Sequence, residues 1–269
     1  MCQSIEMIQF ISKHPLIEKT LYVLYAIAIH FRAGIANKLS FYFGYWPKYI
    51  IDRGYDKWVI NEVFDSNYVG YFLEIGAMDG ITFSNTYMLE KKYNWEGICV
   101  EPNHHYYRDL TKNRECICVP DCIDINNNCV EYILANELSG IVDYDTDNNY
   151  SQRENFISDK KNINKVISLN TISLEYLLEK NNAPKIIDYF SLDVEGAEER
   201  ILTDFPFQNY VFLSLTIERP TPYVNELLFN NGYIFVKNYL FDSFYVHNSI
   251  NSLHRIKKKP FKQLPFKSF

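Results

Sequence analysis

The chain has 269 residues, 47% of them hydrophobic and 22% charged, with a formal net charge of −6. That size and balance support one large α/β domain with an appendage and exclude wholesale disorder. The acidic balance gives no basis for a nucleic-acid partner, because phosphate-binding surfaces are basic.

Residues 1–60 read as helical, with Leu16, Ile17, Leu21, Val23, Leu24, Ala26, Ile27, Ile29 and Phe31 forming a dense apolar stripe. The apolar run at 21–31 is too short to span a bilayer. Glu6 and Glu18 interrupt what a secretion signal would need as a basic leader. The expected role is a helical extension capping the core; an interfacial membrane helix or a dimer contact are the alternatives.

From Asp65 strand and helix alternate. An apolar strand over 69–75 stops at Gly76, passes Ala77-Met78-Asp79-Gly80, and gives way to a helix over 85–92. Strand, glycine turn and helix open a nucleotide-binding α/β unit, in which glycines let the backbone approach a ligand. A second strand over 97–101 ends in Glu101, at about the spacing (about 20 residues) of the acid that holds ribose hydroxyls. Glu74 and Asp79 would repel the pyrophosphate of a dinucleotide. S-adenosylmethionine has no phosphate and carries a sulfonium and an ammonium, so the acids favour it. Asp79 also reads as a turn-shaping residue, and Glu101 as a strand cap.

A third strand over 116–119 leads to Asp121 and Cys122, beside which an adenine is expected, Asp121 reading equally as a loop acid. The six cysteines, Cys2, Cys99, Cys116, Cys118, Cys122 and Cys129, lack the paired C-x2-C spacing of a zinc site. Reduced, half-buried thiols and a cytoplasmic location fit them better. The polar stretch 138–165 reads as a substrate-facing lid or as mobile filler.

A helix follows Thr171 or Ser173 as N-cap. The buried strand 186–193 then delivers Asp193 and Glu195, and the strand 211–217 delivers Glu218 and Arg219. Glu195 and Glu198 also suit the start of the next helix. A helix from Tyr223 ends at Asn231-Gly232, and strands over 233–239 and 244–247 form a terminal antiparallel pair carrying His247, a weaker base candidate. Residues 253–269 hold Arg255, Lys257, Lys258, Lys259, Lys262 and Lys267 with no acid. They read as a solvated basic tail, or as a contact for an anionic membrane surface together with the N-terminal helix.

Glu74-Ile75-Gly76-Ala77-Met78-Asp79-Gly80 with Ser84-Asn85-Thr86, then Gly97 to Pro102, Ser191-Leu192-Asp193-Val194-Glu195-Gly196-Ala197-Glu198, Ile217-Glu218-Arg219 and Asp242 to His247 together resemble one family. It is the FkbM family of S-adenosylmethionine-dependent methyltransferases, matched in the family's order over residues 55–250. Met78 stands where that family often has asparagine, and Arg219 where it often has histidine.

The resemblance implies a Rossmann-like class I methyltransferase: an α/β fold with a seven-stranded, mostly parallel sheet and helices on both faces, here with the N-terminal extension. It implies O-methylation of a hydroxyl on a sugar, glycan or polyketide-type natural product. By position, Gly76, Asp79, Gly80 and Asn85 would line the methionine end of S-adenosylmethionine, Glu101 the ribose, and Asp121 and Cys122 the adenine, with Glu74 and Ala77 also counted among the cofactor-binding residues. Asp193 is the leading general base, with Glu195 and Glu218 positioning the acceptor, and Asp193 and Glu218 are also the candidate ligands of a Mg2+ ion. The expected organisation is an extension over 1–60, a catalytic domain over 61–252 and a tail over 253–269. A dinucleotide oxidoreductase and a catalytically silent, membrane-associated or glycan-binding scaffold are the competing classes.

Overall fold

Strands whose side chains are apolar on both faces belong inside a sheet covered twice, and the strand after the N-terminal region is of that kind. The computed structural model describes residues 55–125, 128–149 and 165–265. β1 (Tyr71–Ile75) is buried from Phe72 onward and lies between β2 (Glu96–Val100) and β8 (Ile186–Leu192). With β3 (Ile117–Val119), β9 (Val211–Glu218), β10 (Tyr233–Tyr239) and β11 (Asp242–His247) it forms a seven-stranded sheet, ordered β10-β11-β9-β8-β1-β2-β3. Parallel pairings join β3, β2, β1, β8 and β9. β11 runs antiparallel to β9, and β10 antiparallel to β11.

Alternation along the strands divides the core into two layers. Leu73, Ile75, Phe190, Leu192, Leu215 and Ile217 face α4 (Leu174–Lys180), α5 (Glu198–Thr203) and α6 (Pro222–Asn230). Phe72, Cys99, Tyr189, Phe244 and Val246 face α1 (Tyr55–Trp58, continuing as a π turn Val59–Val63), α2 (Tyr87–Tyr93) and α3 (His104–Asn113). Ser173 and Thr221 cap α4 and α6 by accepting from Tyr176 N and Val224 N, which explains where those helices begin.

A second sheet, which the sequence reading does not foresee, fills the connection between β3 and α4. Its order is β4-β7-β5-β6: β4 (Cys122–Ile123), β7 (Lys165–Ile172), β5 (Cys129–Leu134) and β6 (Gly140–Ile141). The expected lid therefore begins as ordered strand and turn through residue 149; its remainder, 150–164, lies outside the described residues.

Contacts cross both expected domain boundaries. Residues 1–54 lie outside the described residues, but α1 belongs to the core: the rings of Tyr55 and Trp58 meet Phe244 edge-on at 4.9 and 4.8 Å. Residues 253–265, expected as a solvated tail, are tied down. Arg255 donates to the carbonyls of Val63 and Phe64, Lys259 N to Val236 O at 2.7 Å, and Asn238 Nδ2 to Lys262 O at 2.7 Å. Ile256 is buried, and Phe261 meets Phe229 and Phe235 edge-on. The side chains of Lys257, Lys258, Lys259 and Lys262 still point to solvent, so the charge run describes a surface while its backbone protects an edge strand. Among the described residues no helix is long and apolar enough to cross a membrane.

Candidate active site

Open parallel sheets bind ligands outside the carboxyl ends of their strands, where the strand order reverses. Here that point lies between β1 and β8. Gly76 closes β1 with φ 88°, and a Cβ on it would sit 1.9 Å from Asp193 O at the end of β8. A Cβ on Gly80 (φ 79°) would lie 2.6 Å from the side chains of Arg114 and Leu110. Gly76 N and Ala77 N donate to Val100 O at 3.1 and 3.0 Å, tying the loop to β2. Asp79 turns its carboxylate inward: Oδ1 accepts from Ile81 N and Thr82 N, and Oδ2 from the Thr82 hydroxyl at 2.8 Å. Its turn-shaping reading is thus the one with visible bonds.

Glu74, expected among the cofactor-binding residues, is tied to the segment that follows the glycine loop. Only 2% exposed, it accepts from Ser84 Oγ (2.8 Å), Asn85 N (2.6 Å) and Thr86 Oγ1 (2.6 Å). Arg114, from the end of α3, completes the arrangement. Its guanidinium lies 3.4 Å from Glu74 and 2.7 Å from Glu90, and donates to Gly80 O, Ser84 Oγ and Thr86 Oγ1. The two residues hold both ends of the glycine loop. The sequence reading missed Arg114, because a single arginine at a helix end usually reads as a charge complementing the helix dipole. Asn85 is 5% exposed; Nδ2 donates to Ser191 Oγ at 2.8 Å, while Oδ1 is buried with no hydrogen-bond partner.

Glu101 ends β2, 4% exposed, accepting from Met78 N (2.8 Å) and Asn103 N (2.7 Å). Burial pushes its carboxyl up to about 7 against the pull of those bonds. The Asn103 side chain reaches Ser139 Oγ at 3.0 Å, linking this strand end to the second sheet. Asp121 pairs with Lys180 at 3.0 Å, and Cys122 is buried in β4, its thiol pushed up to about 12 by burial.

At the ends of β8 and β9 the acids converge. Donor oxygens of Asp193, Glu198 and Glu218 lie within 4.8 Å of one another. Arg219 lies 2.9 Å from Glu218, 3.6 Å from Glu195 and 2.5 Å from Asp147. Burial, and after it the charge of Asp193, raise Glu195 and Glu218 well above the usual carboxylate range. Both carboxyls are thereby biased toward their protonated forms. Met78 (φ 47°), Glu195 (φ 57°) and Arg219 (φ 39°) put non-glycine residues in the left-handed region at three neighbouring strand ends. Such strain costs on the order of 1 kcal/mol each and concentrates at functional sites. His247 is elsewhere: Asp242 pairs with Glu218 and Val246 with Ser214, which puts His247 toward the opposite end of the sheet, beside Tyr233. Among the described residues the carboxylates, not the cysteines, come together as metal donors.

Glu198 gives this cluster a pH signature. It is 6% exposed, and burial lifts its carboxyl to about 7 against a 2.9 Å bond from Val194 N. A raised carboxyl contributes stability that is complete below its unfolded value and lost as pH rises through the folded one. Glu198→Gln keeps an acceptor for Val194 N. It is expected to stabilise the protein at about pH 8 by up to about 3 kcal/mol and to flatten the fall in Tm above about pH 5. An unaltered pH slope in thermal melts would show that Glu198 is not the group responsible.

A sheet of this order, with a glycine loop after its first strand and acids at the ends of the next ones, defines a doubly wound α/β ligand-binding protein. A family model, that of the methyltransferase FkbM domain, matches residues 74–249, and the chain belongs to that family of methyltransferases. No curated protein matches the chain.

Proposed function

We propose that the protein is an S-adenosylmethionine-dependent O-methyltransferase acting on a hydroxyl of a sugar or glycan. The observation that carries this is the convergence of Asp193, Glu198 and Glu218, with Glu195 alongside, next to the loop built by Gly76. In-line displacement needs an acceptor oxygen aligned with the methyl group and relieved of its proton. Asp193, at the strand end facing the glycine loop, takes that proton. Glu195 and Glu218, kept partly protonated by burial, bind and orient neighbouring hydroxyls of the acceptor.

On the donor side, Gly76, Ala77, Asp79, Gly80 and Asn85 frame the methionine end. The buried, unpartnered Oδ1 of Asn85 is suited to an ammonium. Glu74 acts through the loop it holds. Glu101 retains acceptor capacity for ribose hydroxyls beyond its two backbone bonds, and Asp121 and Cys122 border the adenine. The all-oxygen set of Asp193, Glu198 and Glu218 fits a hard cation such as Mg2+, which when bound would acidify the acceptor hydroxyl. The free thiols fit a reducing compartment, and we take the cytoplasm as the site of action.

Isothermal titration with S-adenosylhomocysteine tests the reading. Wild type is expected to bind at micromolar concentration, on the order of −8 kcal/mol. Glu101→Ala is expected to bind about a hundredfold more weakly, two charge-assisted bonds being lost. Absence of binding by folded wild type would remove the methyltransferase reading. Binding justifies a screen of sugar acceptors with and without Mg2+.

A further inference from the structure

Two aromatic side chains beside the acid cluster lie outside the apolar core. β10 and β11 are joined by a two-residue turn, Leu240-Phe241, across which Tyr239 pairs with Asp242. Tyr239 is 49% exposed and Phe241 63%. Hairpin turns of this length place glycine or asparagine where φ is positive, yet Leu240 carries φ 54°. A strained, apolar tip therefore stands where glycine would relieve the backbone.

The tip is joined to the acid cluster by backbone pairing. Asp242 pairs with Glu218 in the antiparallel register of β11 with β9, and Arg219 N donates to Phe241 O at 2.7 Å. The guanidinium of the same arginine lies 2.9 Å from Glu218 and 3.6 Å from Glu195. A single arginine thus links Phe241 to the carboxyls at the strand ends. The base of the tip is held firmly: the Tyr55 hydroxyl donates to Asp242, and Ser243 Oγ donates to Asn238 Oδ1 at 2.8 Å. A side chain displayed on such a frame loses little freedom when a ligand covers it.

We infer that Phe241 is an acceptor-binding residue, whose ring packs against the C–H face of a pyranose while the hydroxyls of the same sugar reach the acids beside it. This rests on the methyltransferase reading and gives its acceptor side a specificity element. The chemistry is complementary: a pyranose has an apolar face of C–H groups and a rim of hydroxyls, and ligand sites pair aromatic surface with a few polar groups that fix orientation. Exposed apolar residues scattered singly are ordinary on protein surfaces. Phe241 is set apart by its bond to the arginine that also holds Glu218.

Phe241→Ala removes the ring and keeps the backbone bond from Arg219, whereas Phe241→Tyr keeps a ring of the same shape. Protein saturated with S-adenosylhomocysteine is titrated with the methyl glycosides of glucose, galactose, mannose and fucose, and binding is followed by saturation-transfer NMR. Wild type is expected to bind at least one of them, with the strongest transfer at ring C–H protons. Phe241→Ala is expected to weaken that glycoside about fivefold to tenfold, and Phe241→Tyr to stay within about twofold of wild type. S-adenosylhomocysteine affinity and Tm are expected to be unchanged in both variants. Equal glycoside affinity in wild type and Phe241→Ala would overturn the proposal. So would a parallel loss of S-adenosylhomocysteine affinity or of Tm, which would make the ring a support of the fold. Wild type that binds S-adenosylhomocysteine but none of the glycosides overturns it too, and leaves the methyltransferase reading standing. Wild type that does not bind S-adenosylhomocysteine is the failure of that reading itself, and the proposal falls with it.

Discussion

Asp193→Asn is expected to leave S-adenosylhomocysteine affinity within about twofold and to lower turnover by about a thousandfold, the middle of the range for a general base. The asymmetry follows from where the residue sits. The backbone contribution of Asp193 to the donor side, its N–H to Ile75 O at 3.2 Å and its carbonyl against Gly76, does not involve the side chain. The carboxylate instead meets Glu198 and Glu218, on the side away from β2 and Glu101. Asparagine preserves shape and removes the proton acceptor. Methyl transfer to the acceptor found in the sugar screen gives the rate, and titration gives the affinity. Unchanged turnover would remove Asp193 as the base. Lost affinity with little change in rate would assign it to the donor side.

The largest effect on stability is expected from Arg114→Met, a loss of about 3–5 kcal/mol. In a domain of this size that lowers Tm by roughly 10 °C. Arg114 has no side-chain exposure, and its partners Glu74 and Glu90 have 3% and 8%. Methionine fills much of the volume but leaves Glu74 buried without its cation, and Gly80 O, Ser84 and Thr86 without a shared donor. Arg114 also lies 5.3 Å from the Phe72 ring centre, so part of its packing is aromatic.

The sign of the pH dependence follows from Glu90. Burial would raise its carboxyl, but Arg114 and the surrounding donors hold it down at about 2. A depressed carboxyl gives stability that is present above its unfolded value and disappears as pH falls toward the folded one. The gap in Tm between wild type and variant should therefore narrow below about pH 4.5. A gap independent of pH would mean that lost packing, rather than lost charge, is the cause. Because the same cation closes the glycine loop, S-adenosylhomocysteine affinity is expected to fall with it.

The main sheet was legible because its strands are apolar runs ended by glycine or an acid, and those signals are local. Gly76 and Gly80 report their own left-handed backbone, and Asp193 and Glu218 report strand ends. The second sheet was hidden because β5 alternates between buried and exposed residues and its partner β7 lies beyond a long polar interruption. Its cover also comes from a distance: Ala197 follows the turn after β8. Glu74 illustrates the other limit. An acid before a glycine turn reads the same whether it faces a ligand or an arginine 40 residues downstream, and only the tertiary contact with Arg114 decides. Asp79 was ambiguous for the same reason, its bonds to Ile81 and Thr82 being invisible until the turn is drawn.

The strip after β11 also has a consequence for how the molecule is made. Arg255 holds the carbonyls that end α1, Lys259 covers β10, and Gln263 bonds Asn225 Nδ2 at the base of α6 at 3.0 Å. The first and last parts of the described domain are thus joined by residues synthesised after every strand of both sheets. A nascent chain that has reached Ile250 has its whole donor loop and acid cluster in sequence, yet an uncovered β10 and an unanchored α1. On the ribosome this domain closes late, and the interval before residue 263 emerges is when its exposed edge strand is open to pairing with other chains.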